Sequence, residues 1–220
     1  MATKATKAIK AILFDMDGVL IDAKEWHYEA LNKALAIFGL GISRDAHLTR
    51  FDGLPTKKKL EMLSEECSLP LELHTFINDL KQRYTMEAIA LYCRPVFCHE
   101  FALRKFHEDG YKIAVCSNSI RESIVTMMAK AYLGDYIDVI FSNEDVSQPK
   151  PHPEIYLSAI KYFNLEPGDC LIVEDNENGI RAAKASGAHL LVVNNVNQTN
   201  WTNISKKIIE IENRNSEVLM

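Results

Sequence analysis

Short apolar runs recur along the chain and are separated by longer segments with helical periodicity. The runs occupy residues 11–14, 112–116, 139–141, 170–173 and 190–193. Each is short, and together they are rich in β-branched residues, which indicates strands buried on both faces. Strands that alternate with amphipathic helices predict an α/β fold, with a parallel sheet covered by helices on both sides.

The segment between the first two strands has a different pattern. Residues 23–90 contain apolar positions at helical spacing and no convincing strand; Leu60, Leu63 and Cys67 are expected on one helix face, and Leu73, Phe76, Leu80 and Tyr84 on another. Glycine and proline residues separate these stretches. We therefore predict a discontinuous core domain of residues 1–22 and 91–220. A helical cap domain of residues 23–90 is expected to cover the end of the first strand.

Two aspartates follow the first strand directly. Asp15 and Asp17 stand one residue apart, and Gly18 comes next. Aspartate is disfavoured in strands and costly to bury without a partner, so this pair requires a nearby positive charge. A glycine at this point allows a sharp turn or the close approach of a ligand.

Composition narrows the range of partners. The 220 residues include 25 Lys and Arg against 30 Asp and Glu, a net charge of -5. This balance argues against a nucleic-acid partner. No apolar run is long enough for a membrane span, and the basic segment 2–7 precedes no signal-like apolar region. The five cysteines form no CxxC pair, which favours reduced thiols and a cytoplasmic location.

Polar groups follow the other strands too. Ser117 and Asn118 end the second strand, Lys150 comes after the third, and Glu174 and Asp175 end the fourth. The carboxyl ends of parallel strands meet at one edge of a sheet, so we expect these groups to converge. Carboxylates suit Mg²⁺, while a lysine with amide and hydroxyl donors suits a phosphoryl group.

These motifs, in this order, resemble those of the haloacid dehalogenase superfamily, in the subgroup with a helical cap after the first strand. The resemblance rests on residues 15–19, 117–118, 150–156 and 174–180 and spans nearly the whole chain. It implies a Rossmann-like core. It also implies that Asp15 is the nucleophile, forming an aspartyl-phosphate, and that Asp17 is the general acid and then the general base.

The same resemblance assigns the remaining polar groups. Ser117 and the amide of Asn118 are expected to bind the phosphoryl oxygens, and Lys150 to balance the charge of Asp15 and the phosphoryl group. Mg²⁺ is the expected cofactor, held by Asp15, the carbonyl of Asp17, Glu174 and Asp175. An alternative for the last two residues is that they cap the helix that follows.

Substrate contacts in the cap are expected from Gly53, Thr56 and the region of Lys81 and Gln82. His27 is a further candidate, because the related β-phosphoglucomutases carry a histidine at the matching place. A core or solvent-exposed histidine is the alternative for this position.

Three functions compete. The first is a Mg²⁺-dependent phosphatase for a small phosphorylated metabolite, with a sugar phosphate as the expected class; the second is a hexose-phosphate mutase; the third is a non-catalytic phosphate-binding or interaction protein. The third predicts the loss of a key group, and none is lost.

The cap separates the first two functions. The mutases carry a threonine and an arginine where this chain has Ala23 and Thr56. The lysines at 57–59 could substitute for that arginine, but a run of lysines is usually a solvated face, and this interpretation is preferred. The phosphatase is therefore favoured, acting as a monomer or weak homodimer without nucleic-acid or membrane partners.

Overall fold

A computed structural model describes the backbone of residues 8–218 and the side chains of residues 8–214, so the basic segment 2–7 lies outside the described residues. The described residues form a five-stranded, fully parallel sheet in the order β3-β2-β1-β4-β5. The strands are β1 (Ala11–Phe14), β2 (Lys112–Cys116), β3 (Val139–Phe141), β4 (Cys170–Glu174) and β5 (His189–Val192). The predicted α/β fold is confirmed; β4 extends one residue further than expected, and β5 begins and ends one residue earlier.

Helices fill the segments between the strands. They are α1 (Lys24–Ala36), α2 (Arg44–Ala46), α3 (Thr56–Cys67), α4 (His74–Tyr92), α5 (Phe97–Glu108), α6 (Arg121–Lys130), α7 (Glu154–Tyr162), α8 (Glu177–Ser186) and α9 (Trp201–Val218), with a π-helical turn at His47–Phe51. Within the described part of the chain, no helix combines the length and the apolar character that crossing a membrane requires.

The alternation of side chains along β1 explains the two helical layers. Ile12 and Phe14 belong to a core cluster that includes residues of α5, α6 and α9. Ala11 and Leu13 point to the opposite face and belong to a cluster with α7 and α8. All four residues of β1 are fully buried, as the uninterrupted apolar run predicts.

The segment from α1 to α4 has a core of its own. Leu31, Leu35, Phe51, Leu60 and Ile77 are among its buried residues. The predicted absence of strands here is confirmed for the described residues. Two details of the predicted helix faces are wrong: Cys67, at the end of α3, is exposed, and Phe76 is exposed while its neighbour Ile77 is buried. The division into a cap of residues 23–90 and a core of residues 1–22 and 91–220 stays a prediction.

The strand order fixes the place of the acidic pair. The chain builds the sheet outward from β1 to β3 and then returns to add β4 on the other side of β1. In parallel sheets a crevice forms where the order reverses, beyond the carboxyl ends of the strands. Asp15 stands at this position, and its backbone N–H donates to the carbonyl of Val173 at 3.0 Å.

Candidate active site

Asp15 is buried and paired with a lysine. The Nζ atom of Lys150 donates to Oδ1 of Asp15 at 2.6 Å and to Oε1 of Glu174 at 2.6 Å. Lys150 reaches this position from the loop before α7, and all three residues are at most 4% exposed. The predicted meeting of these strand-end groups is therefore found in the structure.

The charges in this cluster do not balance. Burial raises the pKa of Asp15 well above its ordinary value, and the negative charge of Glu174 raises it further, against the opposing effect of Lys150. Burial alone would lower the pKa of Lys150, but Asp15 and Glu174 outweigh it and raise that pKa. Lys150 thus stays charged, and the acids around it still lack a second cation.

A third carboxylate completes an acidic cluster. Oxygen atoms of Asp15, Glu174 and Asp175 lie within 4.8 Å of one another. Gly18 makes this approach possible, because a Cβ atom there would stand 2.0 Å from Oδ2 of Asp175. An all-oxygen donor set with excess negative charge fits a divalent cation such as Mg²⁺.

Glu174 has several donors around it. Besides Lys150, the hydroxyl of Tyr156 donates to its Oε1 at 2.5 Å. The backbone N–H of Asp175 donates to its Oε2 at 3.0 Å. Tyr156 is buried on α7, and the sequence analysis did not identify this role. The feature that could have indicated it is general: the hydroxyl group of a buried tyrosine needs a polar partner.

Asp175 has a cationic partner that the sequence did not identify. The Nζ atom of Lys24, the first residue of α1, lies 2.6 Å from Oδ2 of Asp175 and 3.6 Å from Oδ2 of Asp52. The alternative that Glu174 or Asp175 caps the next helix is wrong. Asn176 caps α8, with its Oδ1 accepting from the N–H of Gly179 at 3.0 Å.

Asp17 has partners distinct from those of Asp15. The hydroxyl of Ser119 donates to its Oδ2 at 2.9 Å, and Nε2 of His27 lies 3.2 Å from its Oδ1. The Nζ atom of Lys81 lies 3.2 Å from Nδ1 of His27. An ammonium group can only donate, so Nδ1 accepts and the ring proton sits on Nε2, facing Asp17. His27 therefore belongs to the site.

The surroundings of Asp17 act on its acidity. Burial alone would raise the pKa of Asp17, but His27, Ser119 and Lys81 outweigh it and lower that pKa. Burial lowers the pKa of His27, which favours the neutral ring. Asp15 and Asp17 thus differ in the direction of their pKa shifts, although only one residue separates them.

Asn118 ties three parts of the site together. Its Nδ2 donates to the carbonyl of Gly53 at 2.8 Å and to that of Lys150 at 3.2 Å, while its Oδ1 accepts from the N–H of Lys150 at 3.0 Å. The side chain is therefore used within the protein, which leaves the predicted phosphoryl contact to the backbone amide. Ser117 is buried beside it, and its Oγ accepts from the N–H of Ser119 at 3.0 Å.

A cavity of about 430 Å³ lies between the helices of the 23–92 segment and the sheet edge. The predicted site residues that line it are Asp15, Asp17, His27, Gly53, Thr56, Lys81, Gln82, Ser117, Asn118 and Lys150. Glu174 and Asp175 are not among the lining residues, since they lie behind Lys150 and Lys24.

The interpretation of the lysine run as a solvated face is wrong for one member. Lys58 is exposed and pairs with Glu61, but Lys59 is only 7% exposed and lines the cavity. It follows the helical period that also buries Leu60 and Leu63 on α3. The helical spacing therefore carries the signal for burial of Lys59, although lysine is seldom fully buried.

Comparisons with known proteins agree with this geometry. The family profile described as haloacid dehalogenase-like hydrolase matches residues 12–193. A phosphorylated carbohydrates phosphatase from Thermotoga maritima is 28% identical, with 81% of this chain and 82% of that protein covered. A phosphoglycolate phosphatase from Aquifex aeolicus is 27% identical, covering 81% and 82%. The crystal structure of β-phosphoglucomutase from Clostridium difficile is similar with a TM-score of 0.80 and 26% identity, covering 92% of this chain and 98% of that one.

Proposed function

The chain belongs to the haloacid dehalogenase-like hydrolase family, and on this premise we propose that it is a Mg²⁺-dependent phosphatase of a small phosphorylated metabolite. Family membership and the relatives named as phosphatases make it a phosphoric monoester hydrolase. The metal and the substrate are the proposed parts.

One observation carries the proposal: two acids one residue apart have separate partners. Lys150 pairs with Asp15, whereas Ser119 and His27 contact Asp17. A nucleophile and a proton donor need different surroundings, because one must be ionised while the other is protonated. This division supports Asp15 as the nucleophile and Asp17 as the general acid and base.

In the proposed reaction, the carboxylate of Asp15 attacks the phosphorus atom and the bond to the leaving oxygen breaks. Asp17 gives its proton to that oxygen and then takes a proton from the water that hydrolyses the aspartyl-phosphate. Lys150 and the backbone donors after β2 balance the charge of the phosphoryl group. His27 lies beside the carboxyl group of Asp17, with its Nε2 at 3.2 Å from Oδ1.

In the protein alone, the pKa shifts run against these roles, since the pKa of Asp15 is raised and that of Asp17 is lowered. Mg²⁺ held by Asp15, Glu174, Asp175 and the carbonyl of Asp17 would stabilise the ionised carboxylates and offset phosphoryl charge. The negative charge of a bound phosphoryl group would favour the protonated form of Asp17. In this proposal Asp15 is ionised and Asp17 is protonated only when the metal and the phosphoryl group are both bound.

The substrate is proposed to be a small phosphate monoester, with sugar phosphates as the main class. A cavity of about 430 Å³ falls in the range of small-molecule sites. Relatives are named for phosphorylated carbohydrates and for phosphoglycolate. A cytoplasmic location and a monomeric or weakly dimeric state belong to the same proposal; the five free cysteines support the first of these.

A hexose-phosphate mutase is the second candidate, supported by the similarity to a β-phosphoglucomutase structure. Lys59 and Lys81 also supply cationic groups at the cavity, which a mutase needs for a second phosphate. The phosphatase remains favoured, because Ala23 and Thr56 replace the threonine and arginine of the mutases.

The test is a measurement of phosphate release from a panel of sugar phosphates, phosphoglycolate and an aryl phosphate, with Mg²⁺ or with a chelator. We expect release that needs the metal and is abolished in Asp15→Asn. Asp22→Asn, an exposed acid of the same loop, is the matched control and should keep activity. Isomerisation of a hexose 1-phosphate primed by a bisphosphate, without net release, would replace the phosphatase by the mutase.

A further inference from the structure

Four lysines of the 23–92 segment line the cavity. Lys24 is paired with Asp175 and Lys57 is exposed, which leaves Lys59 and Lys81, on neighbouring helices, to be explained. Lys59 lies on α3 and Lys81 on α4, and both line the cavity that Asp15 and Asp17 line from the sheet edge. Lys59 is only 7% exposed. Among the described residues, no hydrogen bond or ion pair within 4.0 Å provides it with a partner.

The positive charges of the buried Lys59 and the half-buried Lys81 are costly. Burial lowers the pKa of Lys59 to about 8 and that of Lys81 to about 8, and the charge of Lys59 also lowers the pKa of Lys81. The charges of Asp17 and Asp52 act on Lys59 but make no contact with it. A lysine buried without a carboxylate partner is rare in folded proteins, because the charge loses hydration and gains little.

The phosphoryl group does not account for these lysines. Its expected position is beside Asp15, where Lys150 already supplies a positive charge. Lys59 and Lys81 come from α3 and α4 rather than from the sheet edge, and Asn78 and Thr75 of α4 add neutral polar groups to the same lining. A substrate that spans the cavity would place a different substituent against this lining.

We propose that Lys59 and Lys81 form a binding site for a second anionic group of the substrate. The substrate class is then a phosphate monoester that also carries a carboxylate or a second phosphate. Either group accepts charge-assisted hydrogen bonds from ammonium groups, which are among the stronger polar contacts in proteins. This inference rests on the proposed phosphatase function, since it names the substrate of the same site.

Lys59 is the residue that tests this site most cleanly. Lys81 also contacts His27, so its removal would disturb Asp17. Lys59 makes no such contact and acts on Asp17 and His27 only through its charge, an effect that the singly anionic member of each substrate pair reports. Methionine replaces its chain with a similar apolar length. Lys58→Met is the matched control, because Lys58 is the adjacent residue of α3 and its side chain is 57% exposed.

The experiment compares kcat/KM for substrate pairs that differ only in the second anion. Phosphoglycolate is paired with 2-hydroxyethyl phosphate, and a hexose bisphosphate with the corresponding hexose monophosphate. We expect the wild type to favour the member with the second anion, and Lys59→Met to lower kcat/KM for that member by about tenfold or more. For the member without the second anion, kcat/KM of Lys59→Met should stay within about twofold of the wild-type value. For Lys58→Met, kcat/KM should stay within about twofold of the wild-type value for both members. The substrate pair that shows the larger loss of kcat/KM in Lys59→Met indicates whether the second anion is a carboxylate or a phosphate.

An equal loss for both members of each pair in Lys59→Met, with an unchanged circular dichroism spectrum, would overturn the anion site and leave the phosphatase intact. So would a wild type without preference for a second anion. If no compound is hydrolysed, the phosphatase proposal fails. In that case, calorimetry measures the binding of the same compounds to the wild type and to Lys59→Met. The anion site is supported if the wild type binds the doubly anionic member of a pair more tightly than the other member and Lys59→Met does not. It is overturned if the two proteins show the same preference.

Discussion

The Nζ atom of Lys150 lies 2.6 Å from Oδ1 of Asp15, although 135 positions separate the two residues in the chain. The parallel sheet brings them together, because β1 and β3 both end at the same edge of the sheet and the segments that follow them begin there. Both side chains are almost completely withdrawn from solvent. Their attraction is therefore weakly screened, and the loss of one partner leaves the other buried with an uncompensated charge.

Lys150→Met should destabilise the protein by about 3–5 kcal/mol, because it leaves Asp15 and Glu174 without their shared cation. Urea unfolding followed by circular dichroism measures this change. The control is Lys112→Met, which removes an exposed pair with Asp138 at 2.9 Å and should cost less than about 1 kcal/mol. Similar losses in the two variants would contradict the importance of burial at Lys150.

Asp17→Asn should lower kcat by about 10²–10⁴-fold, because the amide cannot move a proton, while its size is retained. The loss should be smaller for an aryl phosphate than for a sugar phosphate, since an aryl leaving group needs little protonation. Steady-state kinetics with both substrates measures the difference. An equal loss for the two substrates would indicate that Asp17 only positions other groups.

Lys24→Met should allow half-maximal activation at a severalfold lower Mg²⁺ concentration. The Nζ atom of Lys24 lies 2.6 Å from Oδ2 of Asp175, so it competes with a cation for the same carboxylate. Metal titrations of activity and of thermal stability both report this change. Lys10→Met is the control, because Lys10 pairs with Asp169 away from the site, at 2.9 Å. An unchanged or weakened response to Mg²⁺ in Lys24→Met would argue against competition.

Lys59→Met should stabilise the protein by about 1–3 kcal/mol at neutral pH, despite the proposed binding role of this lysine. The pKa of Lys59 is lowered to about 8 from 10.5. Between these values the unfolded chain binds more protons than the folded one, so the free energy of unfolding of the wild type rises with pH. Below about pH 8 the full penalty of the buried charge applies.

The advantage of Lys59→Met should therefore shrink as the pH rises from about 8 and should be lost above 10.5, where both states of the wild type carry a neutral Lys59. Urea unfolding at neutral and alkaline pH measures this trend, with the exposed Lys58→Met as reference. A variant that is less stable than the wild type at neutral pH would show that the apolar stem of Lys59 contributes more than its charge costs.

The sequence was informative where function depends on strand ends. An apolar run that stops at Asp15 predicts both the strand and the exit of its acids at the sheet edge. The same reasoning located Ser117 directly after β2, Glu174 at the end of β4 and Lys150 in the segment that follows β3, because each lies at or beyond the carboxyl end of a short strand. These predictions need only local patterns and the parallel arrangement of the sheet.

The remainder depended on contacts between distant segments. Lys59 and Lys58 are adjacent and chemically identical, and only the packing of α3 against its neighbours decides which one faces the cavity. Lys24 gains its role because the start of α1 passes Asp175, which no local pattern reveals. The partners of Asn118 likewise depend on where the loop around Gly53 meets the sheet edge.

That loop is held through its main chain. Asn118 donates to the carbonyl of Gly53, and Asn178 donates to the carbonyl of Asp52 at 3.0 Å. Every residue type offers the same carbonyl group, so these two contacts are indifferent to the side chains displayed by the helices above the cavity. Substitutions of those side chains can therefore adapt the cavity to a new metabolite while the loop keeps its position at the sheet edge. Substrate preference and the assembly of the reaction centre are in this way free to diverge separately.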